Sequence, residues 1–284
     1  MLDLTVLILT KNEETDLKQC IDSFGGHAKR FVVVDSGSTD GTVELAKRLG
    51  ADVYYNEWVD YATQLNWGLK NTNITTSWTM RMDADEYLTT ELCAEMVKKI
   101  PSLEDDITGI ELKRRAIFLG KWMRHGGIYP TILLRIFRTG KSYCEQTIMD
   151  EHMILTEGRS VLFDNDFVNG DIKSLSWWVD KHNWYSDREV LDYLDKVHQL
   201  ESGTTVKPRL FGNDSERKRW LKYNLYYKFP GSMRARLYYI YRYYIKLGFL
   251  DGKEGKIFTF LQAYWYRYLV DAKLYEKKLN NRSK

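Results

Sequence analysis

Along the first hundred residues, short β-branched apolar runs alternate with segments in which apolar positions recur every three or four residues. The runs at 4–9, 31–34, 53–55 and 78–82 predict strands, and the periodic segments 13–24, 42–49, 61–69 and 90–100 predict helices. Alternation of this kind predicts an α/β fold, a mostly parallel sheet with helices on both faces. From Gly109 to Phe167 the pattern becomes strand-rich, at 109–114, 131–138 and 160–163, which extends the sheet in mixed fashion. Beyond Lys173 the pattern is helical to the end, punctuated by Pro208, Gly212, Pro230, Gly248, Gly252 and Gly255. The expected organisation is an α/β domain over 1–172, in two halves at 1–100 and 101–172, followed by a helical region over 173–284.

Ligands of open α/β sheets bind beyond the carboxyl ends of the strands. The polar motifs fall there. The first strand runs into Thr10-Lys11-Asn12-Glu13, the second into Asp35-Ser36-Gly37-Ser38-Thr39-Asp40-Gly41-Thr42, and the fourth into Asp83-Ala84-Asp85-Glu86. Asp83 and Asp85 are spaced to share one divalent ion, and hard oxygen donors with open positions suit Mg²⁺ or Mn²⁺ bridging a diphosphate. Such an ion neutralises charge on a departing nucleotide diphosphate as a Lewis acid. An isolated Asp-x-Asp is also a common solvated turn; its place at a strand end favours the metal. Asp35 at the crevice is placed to accept from a base N–H or a ribose hydroxyl, whereas Ser38, Thr39 and Gly41 also suit a plain strand–turn–helix joint.

Composition narrows the class. The 284 residues are 44% hydrophobic, enough for a sizeable core, and no apolar run reaches the roughly 18–20 residues of a membrane span. Cys20, Cys93 and Cys144 show neither disulfide nor zinc spacing, which fits a reducing compartment, and residues 1–9 lack the basic leader of a secretory signal. A cytosolic chain is expected. The net charge of +3 is uneven: residues 217–250 carry nine Lys or Arg and no Asp or Glu, leaving −6 elsewhere. An anionic surface is the expected partner of such a segment.

The ordered motifs Thr-Lys-Asn-Glu, Val-Asp-Ser-Gly-Ser-Thr-Asp-Gly-Thr, Gln64-Leu65-Asn66-Trp67-Gly68-Leu69 and Asp-Ala-Asp-Glu resemble the inverting glycosyltransferase family 2. The resemblance is to its branch that builds lipopolysaccharide core and other bacterial surface polysaccharides, and Leu247 to Gly255 resembles that branch's tail. It implies a GT-A (Rossmann-like) fold, with 1–100 as the nucleotide-binding half and 101–172 as the acceptor half. The implied nucleotide-sugar site comprises Thr10, Asn12, Glu13, Asp35, Ser36, Gln64, Asn66, Asp83, Ala84 and Asp85. Asp83 and Asp85 hold Mn²⁺ or Mg²⁺, and UDP-hexose is the expected donor. Many relatives carry a second acid where Ser36 stands, so base recognition rests on Asp35. Others carry Arg or Lys where Leu65 stands, which leaves diphosphate contacts to Lys70, Arg81 or the metal.

Inversion needs a general base opposite the leaving group. Asp150 is the first candidate and Glu151 the second, with His152 steering acceptor or metal. Trp122, in Lys121 to Gly127, is a candidate to stack on an acceptor sugar, and the same stretch also reads as a solvated hairpin. From Trp220 to Tyr268 the chain places 17 of its 40 aromatic residues. On a helix through 234–248, Leu237, Ile240, Tyr241, Tyr244 and Ile245 share one arc, with Arg242 and Lys246 away from it. This suits a helix in a membrane interface, and equally one packed on the catalytic domain. The expected acceptor is a glycolipid or lipid-linked oligosaccharide at the inner face of the cell membrane. A nucleotidyltransferase and a nucleic-acid-binding module are the alternatives; the first lacks a triphosphate loop and the second leaves the acidic motifs without a role.

Overall fold

The computed structural model describes residues 1–146, 151–170, 173–201 and 231–282. Two compact units emerge, one of Met1–Arg124 with Ile128–Ile172, the other of His125–Gly127 with Lys173–Lys284.

The first unit runs β1 (Leu2–Thr10), α1 (Leu17–Asp22), β2 (Ala28–Asp35), α2 (Thr42–Arg48), β3 (Asp52–Tyr55), α3 (Tyr61–Asn71) and β4 (Trp78–Asp83). It continues through β5 (Glu86–Leu88), α4 (Thr90–Lys99), β6 (Ile107–Phe118), β7 (Lys121–Trp122), β8 (Thr131–Arg138), β9 (Ser142–Cys144), β10 (Met153–Leu155) and β11 (Arg159–Asn169). The main sheet has the order β3-β2-β1-β4-β8-β6-β11-β5, with β7 beside β6, and β9 and β10 form a separate hairpin. Strands β3, β2, β1 and β4 are all parallel, and β8 enters antiparallel between β4 and β6. The mixed sheet, mostly parallel in its first half, and the helical C-terminal region are those expected.

Strand β1 is apolar at nearly every position because both its faces are covered. Leu4, Val6 and Ile8 face one core with α1, α2 and α4, and Leu7 faces another with Val32, Val34 and Leu65. Helix α3 lies close on that second face: a Cβ at Gly68 would stand 3.1 Å from Val34 and 3.2 Å from Leu7. The helix expected at 13–24 forms only over Leu17–Asp22, because residues 12–14 bond to the turn after β2 instead. The short strands β5, β9 and β10 were not anticipated, whereas β7 pairs antiparallel with β6 as the hairpin reading of 121–127 expected.

In the second unit α5 (Leu175–Glu201) packs with α8 (Tyr266–Arg282) through Val190, Tyr266, Val270 and Leu274. Between them lie α6 (Gly231–Ile240), which runs into a π-helical turn Tyr241–Ile245, and α7 (Gly252–Thr259), which runs into a second, Phe260–Trp265. The Leu247–Gly255 motif has a packing role. Asp251 is buried and accepts from the His125 backbone N–H (2.8 Å) while lying 2.7 Å from its Nδ1. A Cβ at Gly248 would approach the Arg242 carbonyl to 2.9 Å. His125, Gly126 and Gly127 thus belong to the helical unit. Along α6 and its π turn the apolar arc faces outward: Leu237 is 50% and Ile245 67% exposed, and Ile240, Tyr241 and Tyr244 are exposed with them. Arg234 and Arg242 point inward. Arg234 pairs with Asp271, and Arg242, expected on the solvated flank, is buried, donating to the Gly126 carbonyl and Gln262 at 2.8 Å each. Arg236, Lys246, Lys253 and Lys256 are exposed, and no described Asp or Glu from 233 to 260 is. Basic residues 217, 218, 219, 222 and 228 lie outside the described residues, and no described helix is long and apolar enough to cross a membrane.

Candidate active site

The polar motifs converge at the carboxyl ends of β1, β2 and β4, where the parallel register sets Thr10 beside Asp35 and Leu9 beside Asp83. The first two motifs are fastened together. Asp35 Oδ1 accepts from the Gly37 and Ser38 N–H groups at 2.8 Å, and Oδ2 accepts from the hydroxyls of Ser38 (2.5 Å) and Thr10 (2.9 Å). Those four bonds fill the carboxylate's acceptor sites. A base or ribose donor reaches Asp35 only by displacing Thr10 or Ser38. Gly37, at φ 87°, supplies the left-handed residue that lets the turn fold over the carboxylate. Across the gap, the Asn12 N–H donates to Ser38 Oγ (2.8 Å), Asn12 Oδ1 accepts from the Thr39 N–H (2.8 Å), and the Glu13 N–H donates to Thr42 Oγ1 (2.8 Å). Ser36 is buried, its hydroxyl on the Thr10 carbonyl at 3.1 Å.

Gln64 and Asn66 both serve α3's packing. Gln64 is buried and exchanges hydrogen bonds with Asn56, at 2.7 and 3.1 Å. Asn66 pairs its amide with the Cys144 backbone, donating to the carbonyl and accepting from the N–H at 2.8 Å each. This docks β9 on α3, and Gln146 just beyond donates to Thr63 Oγ1 (3.4 Å). The hairpin loop that follows carries the base candidates. Asp150 lies outside the described residues; Glu151 is half-buried and His152 exposed, directly before β10. The His152 carbonyl accepts from the Glu145 N–H at 2.8 Å, closing the loop's neck.

The first turn of α3, capped by Asp60 on the Thr63 N–H (2.7 Å), also reaches the metal candidate: Tyr61 donates its hydroxyl to Asp83 Oδ1 at 2.6 Å. One helix end therefore positions both Asp83 and the start of the base loop. Ala84 is buried and Asp85 half-buried in the turn between β4 and β5, where the Asp85 carbonyl accepts from the Gly170 N–H (3.1 Å).

Three guanidinium groups surround this turn. Arg135 is 2% exposed and donates to Glu86 Oε1 (2.6 Å), itself 1% exposed; its Nη2 is 3.9 Å from Asp83 Oδ2. It sits where Ile110 pairs with Ile136 but Glu111 with Leu134, so Arg135 is the extra residue of a β-bulge, a device that re-aims side chains. Arg81 lies 4.0 Å from Asp83 Oδ2 and over the Tyr61 ring at 4.5 Å. Arg114 on β6 is within electrostatic range of Asp83, Asp85 and Glu86. Burial lifts the Glu86 carboxyl to about 7, against the pull of Arg135 and with the push of Asp83 and Asp85. Glu86 Oε2 meanwhile accepts from the Asp83 N–H at 3.0 Å and braces the turn from beneath.

Among the described residues no group of three or more His, Cys, Asp or Glu side chains could hold a metal ion. Two carboxylates on a strand-end turn do fit Mg²⁺ or Mn²⁺ shared with a diphosphate, which takes one or two protein carboxylates and completes its shell with phosphate and water. Trp122 is differently placed from a bare sugar platform. The guanidinium groups of Arg115 and Arg124 stand over its ring at 4.4 and 4.1 Å, and Tyr129 packs on it edge to face at 5.0 Å. Tyr61, Glu86 and Arg135 were missed in the sequence. Arg135 did leave a signal, a cation between Leu133-Leu134 and Ile136-Phe137 in an otherwise apolar strand.

Comparison with known proteins gives consistent matches. The family profile described as Glycosyl transferase family 2 matches residues 5–168. The lipopolysaccharide core biosynthesis glycosyltransferase LpsC of Rhizobium meliloti is 28% identical over 97% of this chain and 93% of its own. An uncharacterized glycosyltransferase of Rickettsia conorii is 37% identical over 70% of this chain and 73% of its own. Among solved structures, S. aureus TarS 1–349 aligns with 98% of this chain and 92% of that one, at 13% identity and a TM-score of 0.43. Glucosyl-3-phosphoglycerate synthase from Mycobacterium tuberculosis, in complex with Mn²⁺, UDP and glucosyl-3-phosphoglycerate, aligns with 40% of this chain and 44% of that one, at 21% identity and a TM-score of 0.33.

Proposed function

The chain belongs to glycosyl transferase family 2, and from that premise we propose a metal-dependent, inverting hexosyltransferase that acts on a lipid-linked or lipid-anchored glycan of a bacterial surface polysaccharide. UDP, the family's commonest nucleotide, is the donor nucleotide of this reading. Family membership removes the ground for the nucleotidyltransferase and nucleic-acid readings. The observation that carries the proposal is the turn at Asp83–Glu86, where a carboxylate braced by Tyr61 faces an arginine-rich wall at the carboxyl end of a parallel strand.

In this mechanism Asp83 and Asp85 hold Mn²⁺ or Mg²⁺, which when bound neutralises the leaving diphosphate. The fastened turns at Thr10–Glu13 and Asp35–Thr42 form the floor for the nucleoside. Asp150, or Glu151 in its place, takes the proton of the acceptor hydroxyl as that oxygen bonds to the anomeric carbon and the bond to the diphosphate oxygen breaks, inverting the centre. Arg81 and Arg135 lie 4.0 and 3.9 Å from Asp83 Oδ2, cations beside the site of the diphosphate.

The helical unit supplies the membrane side of the reading. Its outward arc of Leu237, Ile240, Tyr241, Tyr244 and Ile245, in a unit that also exposes Arg236, Lys246, Lys253 and Lys256, suits the interface of an anionic bilayer at the inner face of the cell membrane. Exposed basic residues add about 1 kcal/mol each near such a surface.

The test is a transfer assay with a nucleotide-sugar panel and a bacterial glycolipid extract, reading nucleoside diphosphate release and the product's anomeric configuration. Metal-dependent release with inversion is expected, and Asp150→Asn should abolish transfer while sparing donor binding. Full turnover in Asp150→Asn moves the base to Glu151, and a retained configuration contradicts the mechanism. Co-sedimentation with phosphatidylglycerol vesicles at low salt should succeed where phosphatidylcholine vesicles fail; no binding to either removes the membrane part alone.

A further inference from the structure

A guanidinium stays protonated at any physiological pH, and burying one is costly unless a counter-charge or acceptor meets it. Strand β6 carries three consecutive cations. Lys113 donates to the Asp164 carbonyl and Arg115 pairs with Asp166, each at 2.6 Å. Around the Asp83–Glu86 turn, Arg135 is committed to Glu86, and Arg81 to the Tyr61 ring and Asp83. Arg114, between the two sets, has no hydrogen bond or ion pair among the described residues, and its Nε is sealed from solvent without an acceptor. The residues in register with it on the flanking strands, Thr131 and Phe167, carry no charge, and the Thr131 hydroxyl is spent on the Ile128 carbonyl. Burial pulls the Arg114 pKa down, against the attraction of Glu86, Asp83 and Asp85.

The charges explain what is missing. Among the described residues Arg81 and Arg135 stand in ion-pair range of Asp83 or Glu86 and Arg114 does not, so Arg114 is the guanidinium at this turn left to meet an incoming anion. We propose that Arg114 is a substrate-binding residue whose guanidinium takes an anionic oxygen of a substrate at this turn. That oxygen belongs either to the donor's diphosphate or to a phosphate or carboxylate on the acceptor glycan. The fork geometry of arginine suits both, since each offers two oxygens in one plane. The inference rests on the transferase reading of the site.

The experiment compares wild type, Arg114→Gln and Arg114→Lys as full-length purified chains, by calorimetric titration with UDP plus Mn²⁺, pyrophosphate plus Mn²⁺, mannose 6-phosphate and glucuronate. Arg114→Gln should bind at least one probe roughly ten- to a hundredfold more weakly, with Arg114→Lys in between. Its unfolding midpoint without ligand should stay close to that of wild type, because Arg114 is only half-buried and makes no hydrogen bond among the described residues. A loss confined to UDP and pyrophosphate places the anion on the donor; one confined to the sugar phosphate or sugar acid places it on the acceptor. Equal affinities in wild type and Arg114→Gln overturn the inference while UDP binding keeps the transferase reading intact. If wild type binds none of the four probes, the inference falls together with the donor site.

Discussion

Two acidic turns lie at the carboxyl ends of β2 and β4, the parallel strands on either side of β1, and they differ in their surroundings. Asp35 has spent its acceptor capacity on its own turn and on Thr10. Asp83 takes the Tyr61 hydroxyl on Oδ1 and has the guanidinium groups of Arg81 and Arg135 about 4 Å from Oδ2. A carboxylate bonded throughout by its own loop is part of the scaffold. One set among Arg81, Arg114 and Arg135 suits a bound ion and an anionic substrate. Sequence position alone, an acid after an apolar strand, does not separate the two.

Substitution at each turn should separate them. Asp83→Asn should lower turnover on the order of a thousandfold, the scale of losing a principal electrostatic stabiliser, with little change in the unfolding midpoint because Tyr61 can still donate to the amide oxygen. Asp35→Asn should do the reverse. Replacing one acceptor oxygen by an amide donor that faces the Gly37 and Ser38 N–H groups, or the Thr10 and Ser38 hydroxyls, should cost about 1–3 kcal/mol in denaturant unfolding. An Asp35→Asn protein as stable as wild type would break the comparison.

Tyr61→Phe sharpens it, since only the brace on Asp83 is lost. Such outer partners of metal ligands are worth about tenfold or more in metal affinity, so the Mn²⁺ concentration for half-maximal activity should rise by roughly that factor with stability nearly unchanged. The smallest effect concerns a third acid of the scaffold kind. Burial works against the Glu95 charge, but the N–H groups of Asp164 and Asn165, the Asn165 amide and Lys99 hold its carboxyl at about 2. A folded-state pKa below the unfolded one stabilises above the unfolded value and loses that contribution as pH falls through the folded value. Between about pH 4.5 and 2 the wild type should lose stability more steeply than Glu95→Gln, as followed by circular dichroism.

Much of this was legible in the chain. The parallel strands β1, β2 and β4 announced themselves by apolar runs that fill the two cores, and the strand-end motifs fell where α/β sheets bind ligands. The rest depended on partners far along the chain. Gln64 and Asn66 look like ligand contacts, yet Asn66 pairs with the backbone of Cys144, which no local pattern reveals. Strands of three residues, such as β5 and β9, are too short for periodicity to register. Arg135 reaches Glu86 only because a bulge shifts its register, and a bulge is a property of two paired strands rather than of one. On α6 the arc of apolar positions was correct, but its direction was not readable until Arg234 and Arg242 were seen to be buried beneath it.

The account's central claim is that the Asp83 turn, and not the Asp35 turn, is where metal and diphosphate meet. Thermal unfolding of wild type, Asp83→Asn and Asp35→Asn with UDP, GDP, dTDP or CMP, each with Mn²⁺ and again with chelator, tests it most directly. A ligand at a hundred times its dissociation constant adds about 2.7 kcal/mol, or roughly 5–10 °C for a chain of this size. Wild type should show such a shift with one nucleotide and lose it in chelator. Asp83→Asn should show none, and Asp35→Asn should show one from a lower starting midpoint. An undiminished shift in Asp83→Asn, or none in wild type with any nucleotide, would contradict the claim.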